Sequence, residues 1–191
     1  MKALHDPTPG FDPFTDRASR DVRNGLSRAF GQALAAGDLS PVEELGAALL
    51  AGDLGPGHRD YVVRRLERYR RAFTPIRDAA GDPVRQGLIL WDLQLFFEVH
   101  EVLEHAWHRA EGGRRRLLQA LIRAAGVYIK LEFGQRRQAA GLAEKACAGL
   151  EENRDELREY FSPEELIAAL RSLNPTPPAL LAGSPPAGRR D

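Results

Sequence analysis

The residues best able to do chemistry in this sequence fall between positions 100 and 108: His100, Glu101, Glu104, His105, Trp107 and His108. Imidazole and carboxylate side by side can share a proton, work as an acid–base pair or ligate a metal ion. At about 100° per residue, with Phe96 set at zero, Trp107 falls at about 20°, His100 at about 40°, Leu103 at about 340° and Val99 at about 300°. His100 is therefore expected near the middle of the apolar stripe of its helix, pointing into the core. Glu104 follows at the stripe's edge, at about 80°, and Phe97, His108 and Glu101 come next at about 100°, 120° and 140°. A buried ionisable group must be paired, neutralised or metal-bound. Glu104 lies one turn beyond His100, at the spacing where side chains meet. An imidazole N–H donated to that carboxylate would fix the tautomer and leave the other ring nitrogen available.

Three uses of this pair stand open. It can be a structural core pair, completed by Gln119 or Arg123 from a neighbouring helix. It can help hold a single divalent metal ion, with Glu101 or Glu132 as a further ligand. It can act in catalysis without a metal, with His100 or Glu104 as general base. The zincin pattern His-Glu-x-x-His is absent, because Glu104 stands where the second histidine would be. A ferritin-like di-iron centre draws Glu-x-x-His from two helices. The five histidines are at 5, 58, 100, 105 and 108, which leaves the following helices without one. No serine or cysteine motif offers a nucleophile, and Cys147, among Ala143, Ala146 and Leu150, suits a small core residue.

These residues need a helical frame, and the composition supplies one. The 191 residues include 27 Ala and 26 Leu against 8 Val and 5 Ile. Ala and Leu favour helix, while β-branched residues favour strand. The expected fold is all-α: a single compact bundle of six to seven helices joined by short antiparallel connections. One cysteine excludes a disulfide scaffold and a cysteine-rich zinc module. No apolar run is long enough to span a bilayer, and the first residues lack a signal peptide's apolar stretch, so a cytoplasmic protein without membrane contact is expected.

Turn and cap residues divide the chain. Residues 1–14 read as an N-terminal arm, 15–82 as helices packed on a core, 83–160 as the helical core and 161–173 as a short last helix. The stretch 83–110 is expected to be helical with a break near Leu90, and 135–160 to be one helix. The tail 174–191 is Pro-rich and reads as disordered. The net charge is zero. It conceals residues 58–77, with seven Arg against two acids, and residues 151–165, with seven acids against two Arg. Nucleic-acid binding would require a net basic surface, so the two patches read as solvated or mutually facing. Arg supplies 24 of the 27 basic residues, a bias that GC-rich codons explain.

Trp91 to Leu150 resembles DUF309, a family of unknown function. The resemblance rests on Phe96-Phe97-Glu98, then His100-Glu101-Val102-Leu103-Glu104, then Trp107. Gly112-Gly113, Gln119-Ala120-Leu121-Ile122, Ala124-Ala125, Tyr128 and the Gly141–Ala146 helix follow in order. Ala120 stands where the family commonly has glycine, which bears on how closely two helices approach. The resemblance implies a compact helical bundle and no activity. It places His100, Glu101, Glu104 and Trp107 in the motif and Gln119 on the helix that packs against it. His105 and His108 lie outside the pattern. The resulting expectation is a binding module with a pocket lined by Phe97, His100, Glu101, Glu104, Trp107, Gln119 and Arg123. Its ligand would be a small molecule of unknown identity or one divalent ion. A hydrolase and a purely structural protein are the alternatives, and a homodimer is compatible with each.

Overall fold

The computed structural model describes residues 10–181, which form nine helices and no strand. The chain divides into two compact units, with the boundary between Asp78 and Ala79.

The first unit holds α1 (Arg17–Ala36), α2 (Ser40–Ala51) and α3 (Pro56–Asp78). Asp16 caps α1 by accepting the backbone N–H groups of Ala18 and Ser19. The inward face of α1 carries Val22, Leu26, Ala29, Phe30 and Ala33, a 3.6-residue period. Phe30 stacks on Tyr69 of α3 with ring centroids 4.2 Å apart. Pro75 lies within the last turn of α3 and does not end it. The expected N-terminal arm is only partly described, since residues 1–9 lie outside the described residues. Its end docks on α3, where Phe11 is buried and stacks on Tyr61 at 3.8 Å.

The second unit holds α4 (Pro83–Asp92), α5 (Phe96–Trp107), α6 (Gly112–Glu132), α7 (Arg136–Glu152), α8 (Arg154–Leu157) and α9 (Pro163–Arg171). α6 is central: α5 and α7 pack on it, α4 packs on α5, and α9 packs on α7. At one contact between α6 and α7, a Cβ built on Gly149 would lie 2.8 Å from the Cβ of Ala120. The backbones approach there because one of the two positions carries no side chain.

Four helix ends share one closure, in which a residue at positive φ lets the next N–H reach back five positions. Glycine fills that position at Gly37 after α1 and Gly134 after α6, with φ 72° and 70°. After α4 it is Gln94, φ 54°, with Leu95 N–H donating to Leu90 O at 2.9 Å. After α9 it is Leu173, φ 49°, with Asn174 N–H donating to Ala169 O at 2.9 Å. A side chain in that region costs about 1–2 kcal/mol, so these two ends are strained. Gln94 is also what separates α4 from α5, slightly beyond the break expected near Leu90. The helix expected over 135–160 is likewise interrupted at Asn153.

The tail departs from expectation. Residues 174–181 are not disordered but lie across the end of α4. The Trp91 indole Nε1–H donates to Pro178 O at 2.9 Å. The backbone N–H groups of Leu180 and Leu181 donate to the two Asp92 carboxylate oxygens at 2.7 and 3.0 Å. Leu180 is buried. Composition alone did not register that one leucine and two free N–H groups suffice to anchor a proline-rich segment. The remainder of the expected disordered tail lies outside the described residues.

The two charge patches pair within their own units. Arg64 meets Asp60 and Arg70 meets Glu43 in the first. Arg114 meets Glu156, Arg158 meets Glu164 and Arg171 meets Glu151 in the second.

Candidate functional site

The α5 cluster is real but faces outward. His100 Nδ1 lies 3.5 Å from Glu101 Oε1 and 3.8 Å from Glu104 Oε2. One donor atom from each of the three residues lies within 4.8 Å of the others. The His100 side chain is 33% exposed, Glu104 45% and Glu101 51%. The expectation that His100 points into the core is therefore overturned. The buried residues of α5 are Phe96, Glu98, Val99 and Leu103. With Glu98 at about 200° and Val99 at about 300°, the buried face is centred on the side of the helix away from His100 at about 40°.

The expected completion of the pair is overturned as well. Gln119 and Arg123 are half-buried on α6, and among the described residues neither hydrogen-bonds to His100 or Glu104. Glu132 is not among the clustered donors. Trp107 is only half-buried and carries the Arg115 guanidinium over its ring at 3.9 Å, a cation–π contact that lets an aromatic residue remain at the surface. Phe97 is half-buried, while His105 and His108 are exposed. The distances to His100 exceed a normal hydrogen bond, so the cluster is an open set of donors rather than a closed network.

Behind α5 lies an aromatic group. Trp91 meets Phe96 and Tyr128 edge-on, each at 5.1 Å, and Phe96 stacks on Tyr128 at 5.2 Å. The outward donors and these inward aromatics both lie in a stretch that matches a known sequence family. Residues 84–142 match DUF309, a domain of unknown function. The matched stretch of DUF309 runs from the start of α4 to the middle of α7 and contains every candidate residue named so far. No curated protein and no solved structure matches the chain.

Within the DUF309 stretch the buried Tyr128 hydroxyl has no hydrogen-bond partner among the described residues. Burial, and then the neighbouring Cys147, push that phenol above its usual range. Cys147 is buried in α7, its Sγ 3.8 Å from Ile167 O, and burial pushes its thiol up. That is the setting of an inert core thiol. A cavity of about 380 Å³ lies beside it, between α7 and α9, lined by Ala143, Glu144, Cys147, Glu151, Leu170 and Arg171, among others. None of the expected pocket residues lines this cavity.

A second polar cluster, missed in the sequence, sits in the first unit. Ser19 Oγ donates to Asp16 Oδ2 at 2.6 Å, accepts the Asp12 N–H at 3.2 Å and lies 3.1 Å from His58 Nε2. His58 Nε2 is also 3.2 Å from Asp16 Oδ2. Serine, histidine and aspartate here do not form a nucleophilic triad. In a triad the acid and the serine engage opposite ring nitrogens, whereas here both meet Nε2. Ser19 is also fully buried, out of reach of any substrate. The hydrogen bonds from Ser19 and the backbone hold the Asp16 carboxyl down at about 2. Asp16 caps α1 and His58 opens α3, so the cluster ties two helix starts together. The one local signal available is an aspartate, a residue type favoured at helix N-caps, at the start of α1.

Proposed function

We propose that the DUF309 stretch is a binding module whose ligand is a single divalent cation held by His100, Glu101 and Glu104. The observation that carries this reading is the convergence of one imidazole nitrogen and two carboxylate oxygens on an accessible face of α5. Two ligands each about 2.1 Å from a tetrahedral ion lie about 3.4 Å apart. The separations of 3.5 and 3.8 Å from His100 Nδ1 need only a small adjustment to meet that. One nitrogen and two oxygen donors suit zinc, manganese or iron, and three protein ligands leave a coordination position open. The open position faces solvent and could admit a small ligand, which joins the ion and small-molecule readings in one site.

The same geometry favours one alternative. With Nδ1 turned to the carboxylates, His100 Nε2 remains free to act as a general base in a hydrolase. Metal titration separates the two. Protein purified without a histidine tag should bind one equivalent of zinc or manganese by calorimetry, and His100→Ala should abolish the binding. No uptake, or uptake unchanged in His100→Ala, defeats the metal reading and leaves His100 to be assayed as a base.

A further inference from the structure

A peptide site is already occupied in this molecule. The end of α4 reads an extended chain with three main-chain hydrogen bonds, one to the Trp91 indole and two to the Asp92 carboxylate, and buries one side chain, Leu180. Backbone groups give affinity in such sites, and a pocket for one side chain gives selectivity. The bound segment, Pro177-Pro178-Ala179-Leu180-Leu181, suits the role. Its two prolines have no N–H and favour the extended polyproline form, so little order is lost on docking. Of its three N–H groups, two go to Asp92. No regular secondary structure holds it in place.

We propose that Trp91 and Asp92 form a peptide dock, that residues 174–181 are its ligand in cis, and that it accepts in trans an extended segment with proline two positions before leucine. The dock lies inside the DUF309 stretch and the strap lies outside it. Both dock residues therefore belong to the matched stretch, and the occupant does not. The strap leaves α9 through Leu173 at positive φ, and Gln94, also at positive φ, lies two residues beyond Asp92. Side chains held in this region recur at clamps and switches. This inference is independent of the cation site.

The test uses the full chain. A fluorescein-labelled peptide of residues 174–181 is titrated into wild type and into Leu180→Asp, which disables the strap without shortening the protein. Anisotropy should show at least tenfold tighter binding to Leu180→Asp, and adding Asp92→Ala to that variant should remove it. Equal affinity for wild type and variant, or no binding to a folded Leu180→Asp protein, overturns the proposal. Wild-type hydrogen exchange provides the second arm, independent of whether Leu180→Asp folds. The Leu180 and Leu181 amides should exchange at least a hundredfold faster than the buried Leu95 amide. Exchange at the same rate would make the strap part of the cooperative core and overturn the dock.

Discussion

His100 and His58 both stand among carboxylates, and their surroundings differ in how far the polar atoms of each cluster are satisfied. Around His58, Asp16 and Ser19 are within 3.2 Å, the serine is fully buried and its oxygen is engaged three times. Around His100 the carboxylates stand off at 3.5 and 3.8 Å, and all three side chains are at least one-third exposed. A satisfied network has nothing left to offer a ligand, while an open one keeps its donor atoms available. The type of residue does not distinguish the two clusters; their satisfaction does.

The largest effect that would test this contrast is metal-induced stabilisation. At a free zinc concentration one hundred times its Kd, wild type should gain about 2.7 kcal/mol in chemical denaturation. His58→Ala should keep that increment and His100→Ala should lose it; the reverse would exchange the roles of the two clusters. Next in size is Ser19→Ala, which should cost about 1 kcal/mol, because it removes the acceptor of the Asp12 N–H and one of the donors to Asp16 Oδ2. An unchanged urea midpoint would mean the joint is not holding α1 to α3.

Acid should reveal the joint more gently. The Asp16 carboxyl is held at about 2, below its ordinary 3.8. A depressed carboxyl contributes fully above its unfolded value and loses its contribution as pH falls through its folded one. The stability difference between wild type and Asp16→Asn should therefore be constant near pH 5 and above and shrink between about 4 and 2. A difference that stays flat across that window assigns the contribution to something other than the charge. The smallest effect expected is for Glu104→Ala in metal-free protein, within about 0.5 kcal/mol, as for an exposed ion pair. A loss of several kcal/mol would restore the buried-pair reading.

The sequence made most helix limits legible through particular residues. Pro41, Pro83 and Pro163 mark first turns, Gly37 and Gly134 mark ends, and the Ala/Leu excess set the class. What stayed hidden has physical causes. The rotation of α5 was misjudged because a wheel scores Trp107 as buried, while Arg115 lets it stay at the surface, and scores Glu98 as exposed when it is buried. The Asp16–Ser19–His58 joint was invisible because its partners are separated by about forty residues and share no local pattern. The strap was hidden because proline content signals disorder regardless of what a single leucine can reach. The α5 cluster was legible as a grouping of ionisable residues on one helix, and its direction was not.

The contact between Ala120 and Gly149 bears on how this fold can drift in sequence. With 2.8 Å left for a second methyl group, the space admits one carbon, whichever helix supplies it. Positions 120 and 149 are then a single character written in two places. Ala at both is excluded, Gly at both leaves a void, and the exchange of Ala and Gly between them is nearly silent. A change at either position has an effect whose sign depends on the other, so their substitutions should be strongly epistatic.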